Sequence, residues 1–132
     1  MKITADTNLL VRVLVEDDSD QAKAAQTVLA EAELVAMTIP ALCELVWVLS
    51  RSYRLPKAEI AAGIRTLIEG ANVALDRSTV DLGLAALEAG GDFADAVIAH
   101  EGSWLGAETF VSFDRHAVKL VRAQGGGAHL LA

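Results

Sequence analysis

One cysteine, two prolines and 5% aromatic residues in a chain of 132 are meagre supplies, and each shortage closes a possibility. Cys43 alone permits neither an intramolecular disulfide nor a multi-cysteine zinc site. With so few aromatics, a hydrophobic content of 53% rests on Ala, Val and Leu, which favours helices packed on a small sheet. No apolar run approaches the roughly 20 residues of a membrane span. Asp6 interrupts any hydrophobic N-terminal region almost at once, so no cleavable signal pattern is present. A cytoplasmic protein without membrane contact is the expectation. Basic residues are also scarce: 11 Lys and Arg face 18 Asp and Glu, giving a net charge of −7. Taken alone, that balance argues against tight binding to a phosphate backbone. It argues less strongly if several carboxylates converge on a cation.

The order of segments is regular. "KITAD" (2–6) reads as a first strand, and "NLLVRVLV" (8–15) as a short helix ending near the acidic turn "EDDSD". Ala-rich "QAKAAQTVLAEAE" (21–33) predicts a second helix capped by Ser19 or Asp20. "LVAMT" (34–38) predicts strand two. Pro40 suits a first helical position of "PALCELVWVLSRSY", in which Leu42, Leu45, Val46 and Leu49 have helical spacing. Pro56 opens a further helix closed by Gly70, and "NVALD" (72–76) is strand three. Helices follow at 78–91, with Ser78 as cap, and at 92–107. "TFVSFD" (109–114) is strand four, "RHAVKLVRAQ" (115–124) a helix, and "GAHLLA" (127–132) the last strand. Strands alternating with helices imply parallel pairing through helical crossovers. The pattern predicts one α/β domain over 1–132, with helices on both faces of a central parallel sheet. The Gly-rich "GGG" at 125–127 follows a helix and lacks a following Lys-Ser/Thr, so it reads as a turn and not as a phosphate loop.

Ligands of open parallel sheets gather outside the carboxyl ends of the strands. Asp6 closes strand one there and Asp114 closes strand four. Asp92 and Asp95 open a helix three residues apart, hence on one face. Glu44 lies early in the helix after strand two, between "ALC" and "LVWVL", a run in which an ionised side chain is costly unless it reaches water, a partner or a metal. Each acid alone has a simpler reading as a helix cap or a first-turn acid favoured by the helix dipole. Four segments delivering an acid to one edge, with no Lys or Arg obviously placed to neutralise them, suggest instead a shared cation. All-oxygen donors without His or Cys favour Mg²⁺ or Mn²⁺ over zinc. Thr7, Asn8 and Ser112 are short hydrogen-bonding residues that could orient the carboxylates or a coordinated water. Such a site polarises a phosphoryl oxygen and lowers the pKa of water.

"DTNLLVRVL", "PALCELVWVLSR", "GGDFADAVIAH" and "TFVSFDRHAVKL" resemble, in order and spacing, the motifs of PIN-domain nucleases, and more narrowly VapC-type toxins of bacterial type II toxin–antitoxin pairs. The resemblance covers essentially the whole chain. It implies a PIN-like three-layer sandwich with a central parallel sheet of four to five strands. It places the family's catalytic, metal-binding quartet on Asp6, Glu44, Asp95 and Asp114, with Asp92 and Ser112 in support. It implies an Mg²⁺- or Mn²⁺-dependent endoribonuclease, a homodimer or a higher toxin–antitoxin assembly, and inhibition by a cognate VapB-type antitoxin. Glu44 would bind metal or position and deprotonate the attacking water.

Arg12, Arg51, Arg54, Arg115, Lys119 and Arg122 are the basic residues available for phosphate contact. Arg12 and Arg115, beside catalytic acids, are candidates for RNA or antitoxin contact, with simple ion pairing as at least as good a role. Cys43 reads as a small buried residue. Trp47 and Trp104 read as core or subunit interface, with base stacking by Trp47, one turn from Glu44, as its alternative. Phosphatase chemistry through a nucleophilic Asp6 is a poorer match, because "DTN" lacks an acid two residues later. A PIN-fold binding module without turnover would keep the fold but not need the acids.

Overall fold

The five strands are only two to four residues long, which leaves most of the packing to seven helices. The computed structural model describes residues 1–132, and the chain divides into two compact units, Met1–Asp76 and Arg77–Ala132. The order of elements is the one the sequence predicts. No helix is long and apolar enough to cross a membrane.

The first unit runs β1 (Lys2–Thr4), α1 (Thr7–Val15), α2 (Ser19–Glu31), β2 (Leu34–Ala36), α3 (Ile39–Arg51), α4 (Lys57–Leu67) and β3 (Val73–Ala74). Its three strands pair in parallel in the order β1-β2-β3, with Ile3 opposite Val35 and Val35 opposite Val73. Helices α1 and α3 pack together, with α2 against α1 and α4 against α3. The core is the helical stripe read from the sequence: Leu10, Leu42, Leu45, Leu49, Ile60 and Ile64 are each no more than 1% exposed. Asn72 holds the entry to β3, its amide donating to the carbonyls of Leu29 and Ala32 at 2.8 and 2.9 Å.

The second unit runs α5 (Arg77–Glu88), α6 (Phe93–Trp104), β4 (Thr109–Ser112), α7 (Arg115–Ala123) and β5 (Gly127–Leu130). β4 and β5 pair in parallel, Val111 opposite His129. α5 packs on α6, and α7 packs on both strands. Phe93 is fully buried and lies against Gly83 of α5: a Cβ at that glycine would meet the ring at 2.6 Å. Ala86, Ala96 and Leu120 close the contact between α5, α6 and α7.

Several expectations are corrected. The strands pair in parallel as expected, in a three-stranded and a two-stranded sheet, and a single central sheet of four to five strands is not shown. β1 and β4 each pair along one edge only, and ladders this short carry few hydrogen bonds. The cap of α2 is Asp18, whose carboxylate accepts from the N–H of Gln21 at 3.1 Å, because the helix begins at Ser19. Thr38 caps α3, placing Pro40 second in the helix, and Pro56 stands just ahead of α4. α5 begins at Arg77, ahead of Ser78. Trp47 and Trp104 are exposed, at 59% and 72%, so neither belongs to the core. Cys43 is half-buried.

Candidate active site

In the first unit the sheet delivers Asp6 directly. The N–H of Ala5 donates to the carbonyl of Ala36 at 3.0 Å, and the chain then leaves β1 through Asp6 into α1. Asp6 occupies the N-cap position with extended backbone (φ −73°, ψ 152°), yet its carboxylate accepts no capping hydrogen bond. The Asp residues at the same position of α2, α6 and α7 all do. Asp6 therefore stands where a cap belongs without spending its oxygens on one. Thr7 is buried, and its hydroxyl donates to the carbonyl of Ala41 at 3.5 Å, tying the first turn of α1 to the first turn of α3. The sequence suggested that Thr7 orients a carboxylate or a water; its hydroxyl is directed at α3 instead. Asn8 is exposed.

Glu44 lies one turn beyond that tether. The apolar run around it suggested a costly, enclosed acid, but its side chain is exposed. Leu42, Leu45, Val46 and Leu49 take the buried stripe and leave Glu44 on the outer face. It is also past the first turn of α3, so the helix dipole does not account for it.

The second unit gathers three carboxylates. Asp92 caps α6, accepting from the N–H of Asp95 at 3.4 Å. Asp114 caps α7, one oxygen accepting from the N–H groups of His116 and Ala117 at 2.8 and 3.2 Å. Ser112 supports it from the strand end: its hydroxyl oxygen accepts from the N–H of Asp114 at 2.9 Å. Asp95 is half-buried, and its carboxyl is held above the ordinary carboxylate range, first by burial and then by the charges of Asp92 and Asp114. Phe93 between Asp92 and Asp95 is the anchor, and the missing side chain at Gly83 makes its seat. The pattern "DFAD" carried that signal; Gly83, mid-helix, is the partner that sequence reading missed.

None of Asp6, Glu44, Asp92, Asp95 and Asp114 forms an ion pair with Lys or Arg. Arg12 turns instead to Asp17 (2.9 Å), Tyr53 (3.3 Å) and Gln21 (2.6 Å), and Tyr53 donates to Asp17 at 3.0 Å. The hydrogen bond with Tyr53, foremost, raises the Arg12 pKa. Arg115 is exposed. The three carboxylates of the second unit suit a hard cation in kind: their oxygens have no neutralising partner, and the like charge around Asp95 is the strain a cation relieves. No three His, Cys, Asp or Glu side chains are close enough to hold a metal ion, so the carboxylates do not form a closed coordination sphere. A cavity of about 520 Å³ in the second unit is a separate feature, lined by Ile98, His100, Phe110 and Gly125–Gly127, with none of the five acids on its wall.

Short parallel strands joined by helical crossovers, together with acids that have no basic partner, define an α/β protein carrying uncompensated carboxylates. The sequence matches the PIN domain family over residues 3–122, across parts of both units and all five acids. The chain belongs to the PIN domain family, whose members are generally metal-dependent nucleases. No curated protein matches it in sequence.

Proposed function

We propose that this PIN domain, taken as one functional domain over 1–132, is an Mg²⁺- or Mn²⁺-dependent endoribonuclease. It would act as a VapC-type toxin held in check by a cognate VapB-type antitoxin in the cytoplasm. The observation that carries the nuclease reading is the state of the acids. Five carboxylates at the family's motif positions lack any Lys or Arg partner, and Asp6 declines a capping bond open to it. The toxin role rests on the narrower motif resemblance, and dimer formation on the same ground.

Asp6, Asp95 and Asp114 would hold the cation, with Glu44 either completing that set or taking a proton from the attacking water. Bound there, a divalent ion supplies Lewis acidity toward the phosphoryl oxygen and lowers the pKa of water. The chain's own part is placement. The Thr7–Ala41 tether fixes the start of α1 against α3, which carries Glu44. Phe93 fixes the turn bearing Asp92 and Asp95, and Ser112 fixes Asp114. Asp114 spends one oxygen on its helix and keeps the other. Asp92 and Asp95, lying close together, suit a site that must attract a cation before a polyanionic substrate.

The test is cleavage of RNA with Mg²⁺ or Mn²⁺ by wild type, Asp6→Asn and Asp95→Asn, followed by sequencing of the ends. Metal-dependent cleavage lost in both variants is the expected result. Cleavage retained by both would reject these residues, and no cleavage of any RNA would favour a binding module.

A further inference from the structure

The exposed face of α3 carries more than Glu44. Pro40, Glu44, Trp47 and Arg51 are all exposed and follow the 4-3-4 spacing that aligns side chains along one face of a helix. Trp47 is 59% exposed although its helix neighbours Leu45, Val46 and Leu49 are buried. By helix rise, Trp47 lies about 4.5 Å along the axis beyond Glu44, and Arg51 about 6 Å further. Arg51 forms no ion pair, whereas Arg12 in the same unit is committed to Asp17. A large indole held in water between a free acid and a free guanidinium has no packing role in this chain.

The geometry points to Trp47 as a stacking platform for a base of single-stranded RNA, with Arg51 contacting the adjacent phosphate. This rests on the nuclease reading and names what guides the strand past Glu44. Indole faces accept any base, and Arg pairs with phosphate oxygens, so the stripe matches the chemistry of a flexible single strand. The rival occupant is a protein surface, including a second copy of the chain. Interface cores enrich Trp and Arg but deplete Glu, and Glu44 one turn from Trp47 is exposed without a cationic partner, while Arg51 offers a charge that phosphate matches, so RNA is favoured.

The experiment uses full-length protein carrying Asp95→Asn, to prevent cleavage, and Trp104→Phe, so that Trp47 is the only indole. Titration with an RNA octamer of adenosines should quench Trp47 fluorescence saturably. Trp47→Ala should weaken octamer binding, followed by anisotropy of a labelled octamer, about ten-fold or more, while Trp47→Phe keeps most of the affinity. Arg51→Ala should weaken binding and lower the salt slope by about one. Circular dichroism checks that each variant folds. Binding without quenching, an unchanged affinity in Trp47→Ala, or no saturable binding would overturn the assignment. So would a variant whose only change is dissociation of a dimer in sedimentation, which would give the stripe to self-association. The two readings fail separately. Octamer binding that quenches Trp47 in a protein that cuts no RNA would sink the nuclease, while efficient cleavage untouched by Trp47→Ala would sink only the platform.

Discussion

Adding one methyl group at Gly83 tests how the second unit places its acids. Gly83 is buried in α5, and an added Cβ would lie 2.6, 2.7 and 3.0 Å from three atoms of the Phe93 ring. The ring is fully buried and rigid, so it cannot yield by changing its own shape, and α6 must shift. Two effects oppose. Alanine in place of glycine favours a helix by about 1 kcal/mol. Overpacking a filled core costs about 1–3 kcal/mol. The net expectation for Gly83→Ala is a loss of about 0–2 kcal/mol, the upper end lowering Tm by several degrees in a protein of this size. The sign should reverse once the ring is trimmed. In a Phe93→Leu background, Gly83→Ala should stabilise by up to about 1 kcal/mol, giving a coupling of about 1–3 kcal/mol in the double-mutant cycle. Urea unfolding with chelator present measures all four proteins, with unchanged m-values as the check on two-state behaviour. Because Asp92 and Asp95 flank Phe93, the same substitution should reduce the rise in Tm that Mn²⁺ gives. A Gly83→Ala protein stabilised by the full 1 kcal/mol in the native background, or an effect identical with and without the Phe93 ring, would refute the reasoning.

Other expectations follow from the same structure. The raised pKa of Asp95 means that the folded chain binds its proton more tightly than the unfolded one, so its contribution to stability is greatest below the ordinary carboxylate range. That contribution is lost as pH rises through the raised folded value; Asp95→Asn should thus be more stable than wild type at pH 7 in chelator and show a flatter pH dependence. An unchanged slope in denaturation against pH would contradict this. Mn²⁺ at a hundred times its Kd should stabilise the wild type by about 2.7 kcal/mol and Asp95→Asn by less, read from Tm; an equal gain would remove Asp95 from the coordination set. Asp114→Ala should cost about 1 kcal/mol for the lost cap, whereas Asp6→Ala forfeits no capping bond although both should lose RNA cleavage. Equal destabilisation in thermal melts would mean that Asp6 caps in solution.

The alternation of strands and helices was legible because each element is short, bounded by clear caps and stops, and periodic in Leu, Val and Ala. What stayed hidden was mostly three-dimensional. Glu44 looked enclosed because its sequence neighbours are apolar, but helical geometry turns those neighbours inward and leaves Glu44 in water. A one-dimensional window averages the two faces that a helix separates. Trp47 shows the same effect. Sheet continuity was equally unreadable, since strands of two to four residues carry no pattern that says which edges pair. Asp6, Asp92 and Asp114 all occupy cap positions, yet only the backbone and rotamer decide which of them hydrogen-bonds its helix. Gly83 passed unnoticed because a lone glycine inside a helical pattern does not name the ring it accommodates.

The crowding of like charge around Asp95 also bears on how this chain would respond to directed change. A library screened for heat resistance alone, in chelating buffer, should enrich neutral residues at Asp95 early, since mutual repulsion is relieved there with no loss of packing. The survivors' sequences would then mark the like-charge cluster of Asp92, Asp95 and Asp114 without any assay of activity.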